Sequence, residues 1–250
     1  GDAGAVPARF GDVGRAERRA LAAMLAERRL VEEEALRSDE TLRPLILSLP
    51  IYDVHGSGDD GSCVGLSVKE HWLAPAETDD ALLDGRFVRV ASTDEELLLR
   101  FAGLGRLTRA AFLLDHVFPR LDSLAAPTRD SCILESLHSL HALGAEDGRF
   151  RAGLSKLRFV PTASGGLRCP SELFHPDVSE ARELLDADDA FPHGAFADAE
   201  VLSVLERLGL RSQVTRSAVV QSAGSVESLA AAEPDAAARR AKALLRYVDM

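Results

Sequence analysis

The stretch Leu157-Arg158-Phe159-Val160-Pro161-Thr162 decides how this sequence folds, because an earlier stretch, Leu47-Ser48-Leu49-Pro50-Ile51-Tyr52, has the same character. Each is an apolar run that leads into a Gly-rich turn and a return run, which is the pattern of a β-hairpin. The two runs begin 110 residues apart, and the signals that follow them recur at roughly 104 to 107 residues; self-similarity at nearly one spacing indicates an internal repeat. We therefore predict two related units.

The signals that follow each hairpin also occur twice. An acidic lead-in opens a predicted helix that closes on Leu-Gly, over Asp94–Gly105 in the first copy and Asp198–Gly209 in the second. Thr-Arg then opens the next helix, at Thr108 and again at Thr215, with about three extra residues before the second. The pattern predicts a helix-dominant α+β fold, made of two units of a short β-hairpin followed by helices.

Local signals place the remaining elements. The first hairpin turns at 56–61 and returns through 63–67, and alternation predicts a short strand at 86–90. Helices are predicted at 15–36, 93–104, 108–121, 128–143, 179–185, 198–208, 215–229 and 234–248. Ser92 or Thr93 is the predicted cap of the second of these, Gly105 and Gly144 are predicted helix ends, and Pro119 is predicted to terminate the helix that contains it.

These signals give four segments. Residues 1–14 form a flexible lead-in, 15–44 a helical segment, 45–150 the first β-hairpin and helical unit, and 151–250 the second. The sequence begins at Gly1, and its first methionine, Met24, lies inside a predicted helix. We therefore expect the chain to be a piece of a longer protein.

Composition narrows the class of protein. With 250 residues, 46% apolar and 28% charged, the sequence is typical of a globular protein. The net charge of -11, with arginines interleaved among Asp and Glu, argues against nucleic acid as a partner. No apolar run approaches the roughly 20 residues that span a bilayer, so no membrane partner is expected. The three cysteines are widely spaced and form no pair, which favours reduced thiols and a cytoplasmic location.

No metal or cofactor is predicted for this segment. His138 and His141 share a helical face with Cys132 upstream, yet a fourth ligand is not evident. Glu70-His71 lacks the second histidine of a metalloprotease helix. The acidic group Asp186, Asp188 and Asp189 lacks the glycine and terminal glutamate of a calcium loop, which favours a solvated helix exit.

No catalytic residue is predicted either. The Gly-rich turns at 56–61 and 162–166 lack the Lys-Ser/Thr and the following helix of a phosphate loop, so hairpin turns are favoured. No activating base accompanies Ser57, Ser164 or Cys169. The aromatic residues predicted in loops have two interpretations. They could form a surface that contacts a partner, or they could pack loops against the core, and the second interpretation is favoured. They are Trp72, Phe191 and Phe196.

Several strings resemble the sacsin-like proteins, giant chaperone-related chains with many repeats, and most of all their plant and green-algal members. The longest runs from Leu157 through Phe159-Val160-Pro161-Thr162 to Leu173-Phe174-His175-Pro176. Others follow in the family's order, so the resemblance covers about residues 45 to 250. They are Ser48-Leu49-Pro50-Ile51, Trp72-Leu73-Ala74-Pro75, Phe112–Phe118, Leu184–Asp186, Phe191-Pro192, Leu205–Leu210 and Ala223–Leu229.

The resemblance implies a segment downstream of an Hsp90-like ATPase domain, comparable to the middle region of an Hsp90-type chaperone. That domain's nucleotide site uses a Glu and an Asn on one helix and an Asp-x-Gly-x-Gly turn. Glu135-Ser136-Leu137-His138 supplies no Asn, and Asp60-Gly61-Ser62 does not complete the turn. ATP and magnesium are therefore expected in the parent protein and not in this segment. Expected partners are client proteins, other modules of the parent chain and Hsp70-type chaperones.

The leading hypothesis is a non-catalytic structural and protein-interaction segment of such a chaperone, involved in protein folding and quality control. One alternative is a stand-alone helical adaptor, whose parent gene would contain no nucleotide-binding motif. Another is a hydrolase or transferase that uses Asp59, His71 or His116, which requires those groups to converge in one pocket with an orienting partner.

Overall fold

The chain divides into two compact units, Gly1–Phe112 and Leu113–Met250. The structure is a computed structural model, and it describes residues 13–27, 41–56, 63–185 and 187–248. Most of the predicted lead-in, the predicted helix beyond residue 27 and most of the turn at 56–61 lie outside these ranges. Helices dominate, and two small antiparallel strand pairs accompany them, which confirms the α+β prediction. The predicted boundaries at 44/45 and 150/151 stay predictions.

Unit 1 contains one strand pair and short helices around an apolar core. The strands run antiparallel, with Asp53 opposite Arg89 and Val54 opposite Val88. In order, the elements are α1 (Arg15–Glu27), α2 (Leu42–Ser48), β1 (Asp53–Val54), a 3-10 turn (Asp80–Leu82), β2 (Val88–Arg89), α3 (Thr93–Phe101) and α4 (Arg109–Phe112). The core includes Ile46, Leu47, Ile51, Tyr52, Leu73, Val88, Leu98, Leu99 and Leu104.

Two predictions for the start of unit 1 are wrong in part. Leu47 and Ser48 belong to α2 and not to a strand. Of the predicted hairpin, the described residues show one bridge, between Tyr52 and Val64. β1 pairs instead with β2, the segment predicted as a separate strand. Leu45, Ile46 and Leu47 are apolar on consecutive residues, and such a short run suits a helix as well as a strand. The Tyr52 hydroxyl donates to the Ile46 carbonyl (2.9 Å), which ties α2 to the bridge, and burial raises the pKa of Tyr52.

Unit 2 repeats this kind of arrangement and adds a pair of long helices. It begins with a π-helix (Leu113–Val117) and a 3-10 helix (Phe118–Ser123). Then follow α5 (Ala126–His138), α6 (Leu140–Glu146), α7 (Phe150–Leu154), β3 (Val160–Pro161), β4 (Leu167–Arg168), a 3-10 turn (Pro170–Glu172), α8 (Ser179–Leu184), α9 (Ala187–Ala190), a 3-10 turn (Gly194–Ala197), α10 (Ala199–Arg207), α11 (Arg216–Ala232) and α12 (Pro234–Val248). The predicted second hairpin is confirmed as the pair β3–β4.

Two helix ends and one helix interior differ from the prediction. Gly144 lies inside α6 and ends nothing, because the break falls at Ser139, between α5 and α6. The segment predicted as one helix over 108–121 changes to π geometry at Leu113 and to 3-10 geometry at Phe118. Pro119 therefore stands near the start of a 3-10 helix, where its missing N–H costs little.

The repeat is visible in how α3 and α10 end. Gly103 (φ +101°) and Gly209 (φ +112°) both have left-handed backbone, and the next residue's N–H returns to the helix, from Leu104 to Leu99 and from Leu210 to Leu205, each at 2.9 Å. This is a Schellman ending, which favours glycine. The predicted end at Gly105 is therefore wrong, and Gly103 is the residue that matches Gly209.

The chain leaves both Schellman endings in the same manner. Leu73 bridges Arg106 in parallel in unit 1, and Phe174 bridges Arg211 in parallel in unit 2. Thr108 Oγ1 then accepts the Ala111 N–H (3.2 Å), and Thr215 Oγ1 accepts the Ala218 N–H (3.3 Å). Helix, left-handed glycine, parallel bridge and threonine cap thus recur in order in the two units.

Candidate functional site

Two of the three residues of the hydrolase alternative, His71 and His116, lie in the described structure, one in each unit. His71 is in unit 1, and its Nδ1 accepts the Ser67 N–H (3.1 Å). His116 is in unit 2, buried within the π-helix, and Asp59 lies outside the described residues. The described residues therefore bring no two of these three groups together within one unit.

The groups weighed as metal ligands have local positions. Cys132 is buried within α5, whereas His138 and His141 are exposed on α5 and α6, which the break at Ser139 separates. Within the described ranges, no three or more His, Cys, Asp or Glu side chains are grouped so that they could hold a metal ion. The same part of the chain contains no helix with the length and apolar character needed to cross a membrane.

The acidic group at 186–189 supports the second hairpin. The Asp189 carboxylate accepts a hydrogen bond from the Ser164 hydroxyl and lies 3.6 Å from Arg168, and the Asp188 carbonyl accepts the Ser164 N–H (3.1 Å). Asp186 lies outside the described residues. Asp189 therefore holds the turn at 162–166 in place, which is a structural role.

Two of the three cysteines, Cys63 and Cys169, are in environments that favour the protonated thiol. Burial raises the pKa of both Cys63 and Cys169, so neither is activated as a thiolate at neutral pH. Cys169 Sγ donates to the Lys156 carbonyl (3.3 Å), and Cys63 Sγ donates to Asp53 Oδ1 (3.5 Å). Both contacts stabilise the fold.

The loop aromatics pack against their own units. Trp72 lies 6.5 Å from Phe87 between ring centroids, and Phe196 lies 6.4 Å from Phe159. Phe191 and Phe196 are buried, and Trp72 is half-buried. These contacts agree with the interpretation favoured from the sequence, in which the rings pack loops against the core.

Unit 2 has a cleft of about 290 Å³ whose charges are matched inside the unit. Within it, Arg168 faces Asp189 at 3.6 Å, and Glu172 pairs with Arg158 at 3.0 Å. The Cys169 N–H and then Arg158 lower the pKa of Glu172, so that this carboxylate is ionised and unsuited to act as an acid at neutral pH. Arg211 lies over the Phe174 ring, 5.3 Å from its centroid. Because two arginines and two carboxylates line the cleft, its charges balance and it attracts a charged ligand weakly.

A second groove of unit 2 has unbalanced charge. It has a volume of about 500 Å³ and lies between α8 and α12, which pack together. Five cations line it against one carboxylate, Glu183. The cations are Arg182, Arg239, Arg240, Lys242 and Arg246. We refer to this surface as the basic groove.

Two of the five cations are held in position by the fold. Arg182 Nε donates to the Pro176 carbonyl (3.0 Å), and its guanidinium lies 5.5 Å from the centroid of the Phe191 ring. Arg240 Nη1 donates to Ser225 Oγ (2.9 Å), which also links α12 to α11. The groove therefore has two fixed positive groups.

The other three cations face solvent. Arg239, Lys242 and Arg246 are exposed, and among the described residues no carboxylate lies within ion-pair distance of any of them. Arginines elsewhere behave differently, as Arg149 with Asp147 and Arg86 with Asp84 show, each pair at 2.7 Å. The basic groove therefore groups three exposed cations that have no carboxylate partner among the described residues.

The groove is not predicted by the sequence, although part of it has a sequence signal. Positions 239, 242 and 246 fall at i, i+3 and i+7 of the predicted helix 234–248, so they share one face. That face alone indicates only a solvated helix. The groove also needs Arg182, and the sequence does not show that α8 packs against α12.

Comparison of the chain with models of protein families, with curated proteins and with solved structures found no match.

Proposed function

We propose that this chain is a non-catalytic structural and protein-interaction segment of a sacsin-like, Hsp90-related chaperone of the cytoplasm. The basic groove is the observation that carries the interaction role, because its three exposed cations have no carboxylate partner in the described chain. The resemblance of residues 45 to 250 supports the choice of family, and the repeated arrangement of the two units supports a scaffold.

The proposal separates this segment from the chemistry of its parent. In the proposed arrangement, an Hsp90-like domain upstream binds ATP and magnesium, and this segment links that domain to clients and to neighbouring modules. Hsp70-type chaperones are further proposed partners. A segment that contacts clients and couples neighbouring modules needs a folded surface but no catalytic group.

Calorimetry with magnesium and ATP tests the non-catalytic part of the proposal. The purified chain is expected to give no saturable heat of binding and no phosphate release. Saturable micromolar binding would overturn this part, because the segment would then hold a nucleotide site of its own. An Hsp90-like ATPase domain of known activity serves as the positive control under the same conditions.

A client assay tests the interaction part. The chain is expected to delay the heat-induced aggregation of an unrelated enzyme, without nucleotide, in proportion to its concentration. An equal mass of serum albumin controls for crowding. If the chain and albumin have the same effect, client contact by this segment is excluded for that client.

A further inference from the structure

We infer that the basic groove between α8 and α12 binds a short, extended, acidic segment of a partner protein. This inference rests on the proposed function and deepens it by naming the chemistry of the partner. The groove presents five cations and one carboxylate within a chain whose net charge is -11. Its sign is therefore opposite to that of the molecule as a whole, and charge complementarity selects an acidic occupant.

The geometry of α12 fits a segment of a few residues. Arg239 and Arg246 are seven residues apart on one helical face, which places them about 10 Å apart along the helix axis. An extended chain covers that length with about three residues, and its alternate side chains point the same way. A segment with a carboxylate at every second residue would therefore face these cations and Lys242 between them.

The type of cation favours carboxylates. Four of the five are arginines, whose planar guanidinium forms two parallel hydrogen bonds with one carboxylate. Arg182 and Arg240 are already held by Pro176 and Ser225, so less side-chain entropy is lost when they bind. The exposed cations attract the acidic segment, and the two fixed arginines orient the carboxylates that bind to them.

The floor of the groove allows a backbone to approach. Ala236 and Ala243 line it from α12 and Leu185 from the end of α8. Ala243 is 7% exposed and Leu185 is half-buried. Small apolar groups between charged rims leave room for main chain, while the acidic side chains reach outward to the cations.

A short acidic peptide suits this molecule better than a nucleic acid does. At physiological salt, charges interact over about 8 Å, so a peptide confined to the groove experiences mainly the groove's cations. A long polyanion extends beyond the groove and meets the surface of a protein that carries -11 overall. The acidic segment of a protein is therefore the proposed occupant, and an oligonucleotide is the competitor to be tested.

The test is fluorescence anisotropy of the full chain with a labelled peptide of about eight residues, glutamate at every second position, at about 150 mM salt. The groove variant carries Arg239→Glu, Lys242→Glu and Arg246→Glu. The matched control carries Lys69→Glu, Lys156→Glu and Arg216→Glu, which are exposed cations outside the groove and change the net charge equally. The same peptide with glutamine in place of glutamate shows the background.

The groove variant is expected to bind the acidic peptide at least about tenfold more weakly, because three ion pairs are replaced by repulsion. The control variant is expected to stay within about threefold of the wild type, since its changes act only through screened long-range charge. Equal affinities of the two variants would overturn the inference. An oligonucleotide of equal charge that displaces the peptide at lower concentration would also overturn it, in favour of nucleic acid.

Folding is controlled by circular dichroism of both variants. If the groove variant loses helix, Arg239→Gln, Lys242→Gln and Arg246→Gln are used with their matched Gln control, and the same order of affinities is expected. The two proposals fail separately. ATP binding by the chain overturns the non-catalytic segment and leaves the peptide result standing, whereas loss of the groove effect leaves the calorimetric result untouched.

Discussion

At the scale of single residues, the strongest constraint in unit 1 is a buried ion pair. Glu95 is 2% exposed and receives two hydrogen bonds from Arg19, at 2.7 and 2.9 Å, and one from the Ala91 N–H at 2.9 Å. Asp53 lies 3.5 Å from the same guanidinium. The hydrogen bond to Glu95 raises the pKa of Arg19, so this guanidinium is positively charged at all ordinary pH values.

Replacement of Glu95 tests what this pair contributes. Glu95→Ala is expected to lower the free energy of unfolding by about 2 to 3 kcal/mol, since among the described residues Arg19 then keeps Asp53 alone as an ionic partner. Glu96 is the matched control in the same helix, because its ion pair with Arg106 (2.7 Å) lies at the surface. Glu96→Ala is expected to cost less than about 1 kcal/mol. Urea denaturation followed by Trp72 fluorescence measures both, and similar costs would contradict the special role of Glu95.

His55 provides a prediction about pH. Desolvation by burial lowers the pKa of His55 and outweighs the attraction of Asp80, whose Oδ1 is 3.7 Å from Nδ1. Between the lowered pKa and the unfolded value of about 6.5, the unfolded chain binds a proton that the folded chain does not. Stability is therefore expected to fall as the pH falls through about 6.5, and to level off below the folded-state pKa of His55.

The measurement compares urea midpoints between about pH 7 and pH 5. His55→Gln is expected to flatten the dependence in this window, while the exposed His141→Gln is expected to leave it unchanged. NMR titration of the His55 ring protons should give a midpoint below 6.5. A midpoint above 6.5 would mean that attraction by Asp80 exceeds the cost of burial.

At the scale of elements, the two Schellman endings show which glycine matters. Gly103→Ala is expected to cost about 1 to 2 kcal/mol, because alanine must adopt φ near +101°. The cost does not come from a steric clash, since a Cβ at this position would come no closer than 3.7 Å to Val68. Gly105→Ala is the control, because its φ is not left-handed and no atom lies within 4 Å of an added Cβ. It is expected to be nearly neutral, and the reverse ranking would contradict the assignment of Gly103.

Elements with a local chemical cause were predictable from sequence. Ser92 caps α3 by accepting the Glu95 N–H (3.2 Å). Thr108 and Thr215 cap α4 and α11 in the same way, because each hydroxyl oxygen accepts the backbone N–H three residues later in the chain. The helix at 42–48 was not predictable from period, because it has seven residues and its only apolar run, Leu45-Ile46-Leu47, is too short to show one. The pairing of β1 with β2 was also out of reach, because the partner lies about 35 residues away and a nearer apolar run competes with it.

The candidate sites divide in the same way into features with a local cause and features that depend on tertiary structure. Three of the groups weighed as ligands or nucleophiles, Ser164, Cys169 and Asp189, have local structural contacts in the described chain. The basic groove depends on the contact of α8 with α12 and on which arginines find carboxylates. Both are properties of tertiary structure, since arginine and aspartate can pair across any distance in sequence.

At the scale of the molecule, stability is unevenly distributed in unit 2. α10 has nine residues and buries four apolar side chains, Val201, Leu202, Val204 and Leu205. The helices α11 and α12 are longer, yet the residues that they bury are small, Ala218 and Ser222 in α11 and Ala237 and Ala243 in α12. A buried methyl contributes much less than a buried leucine or valine, so the pair α11–α12 has less to lose on opening.

We therefore expect amide hydrogens of α11 and α12 to exchange at least about tenfold faster than those of α10, after correction for intrinsic rates. Hydrogen exchange with mass spectrometry resolves the three helices as separate peptides. The acidic peptide is then expected to slow exchange in α12 and α8, which form the groove, and to leave α3 unchanged. Equal protection of α10 and α12 in the free chain would show that the Arg240–Ser225 and Tyr247–Val214 hydrogen bonds outweigh the difference in apolar burial.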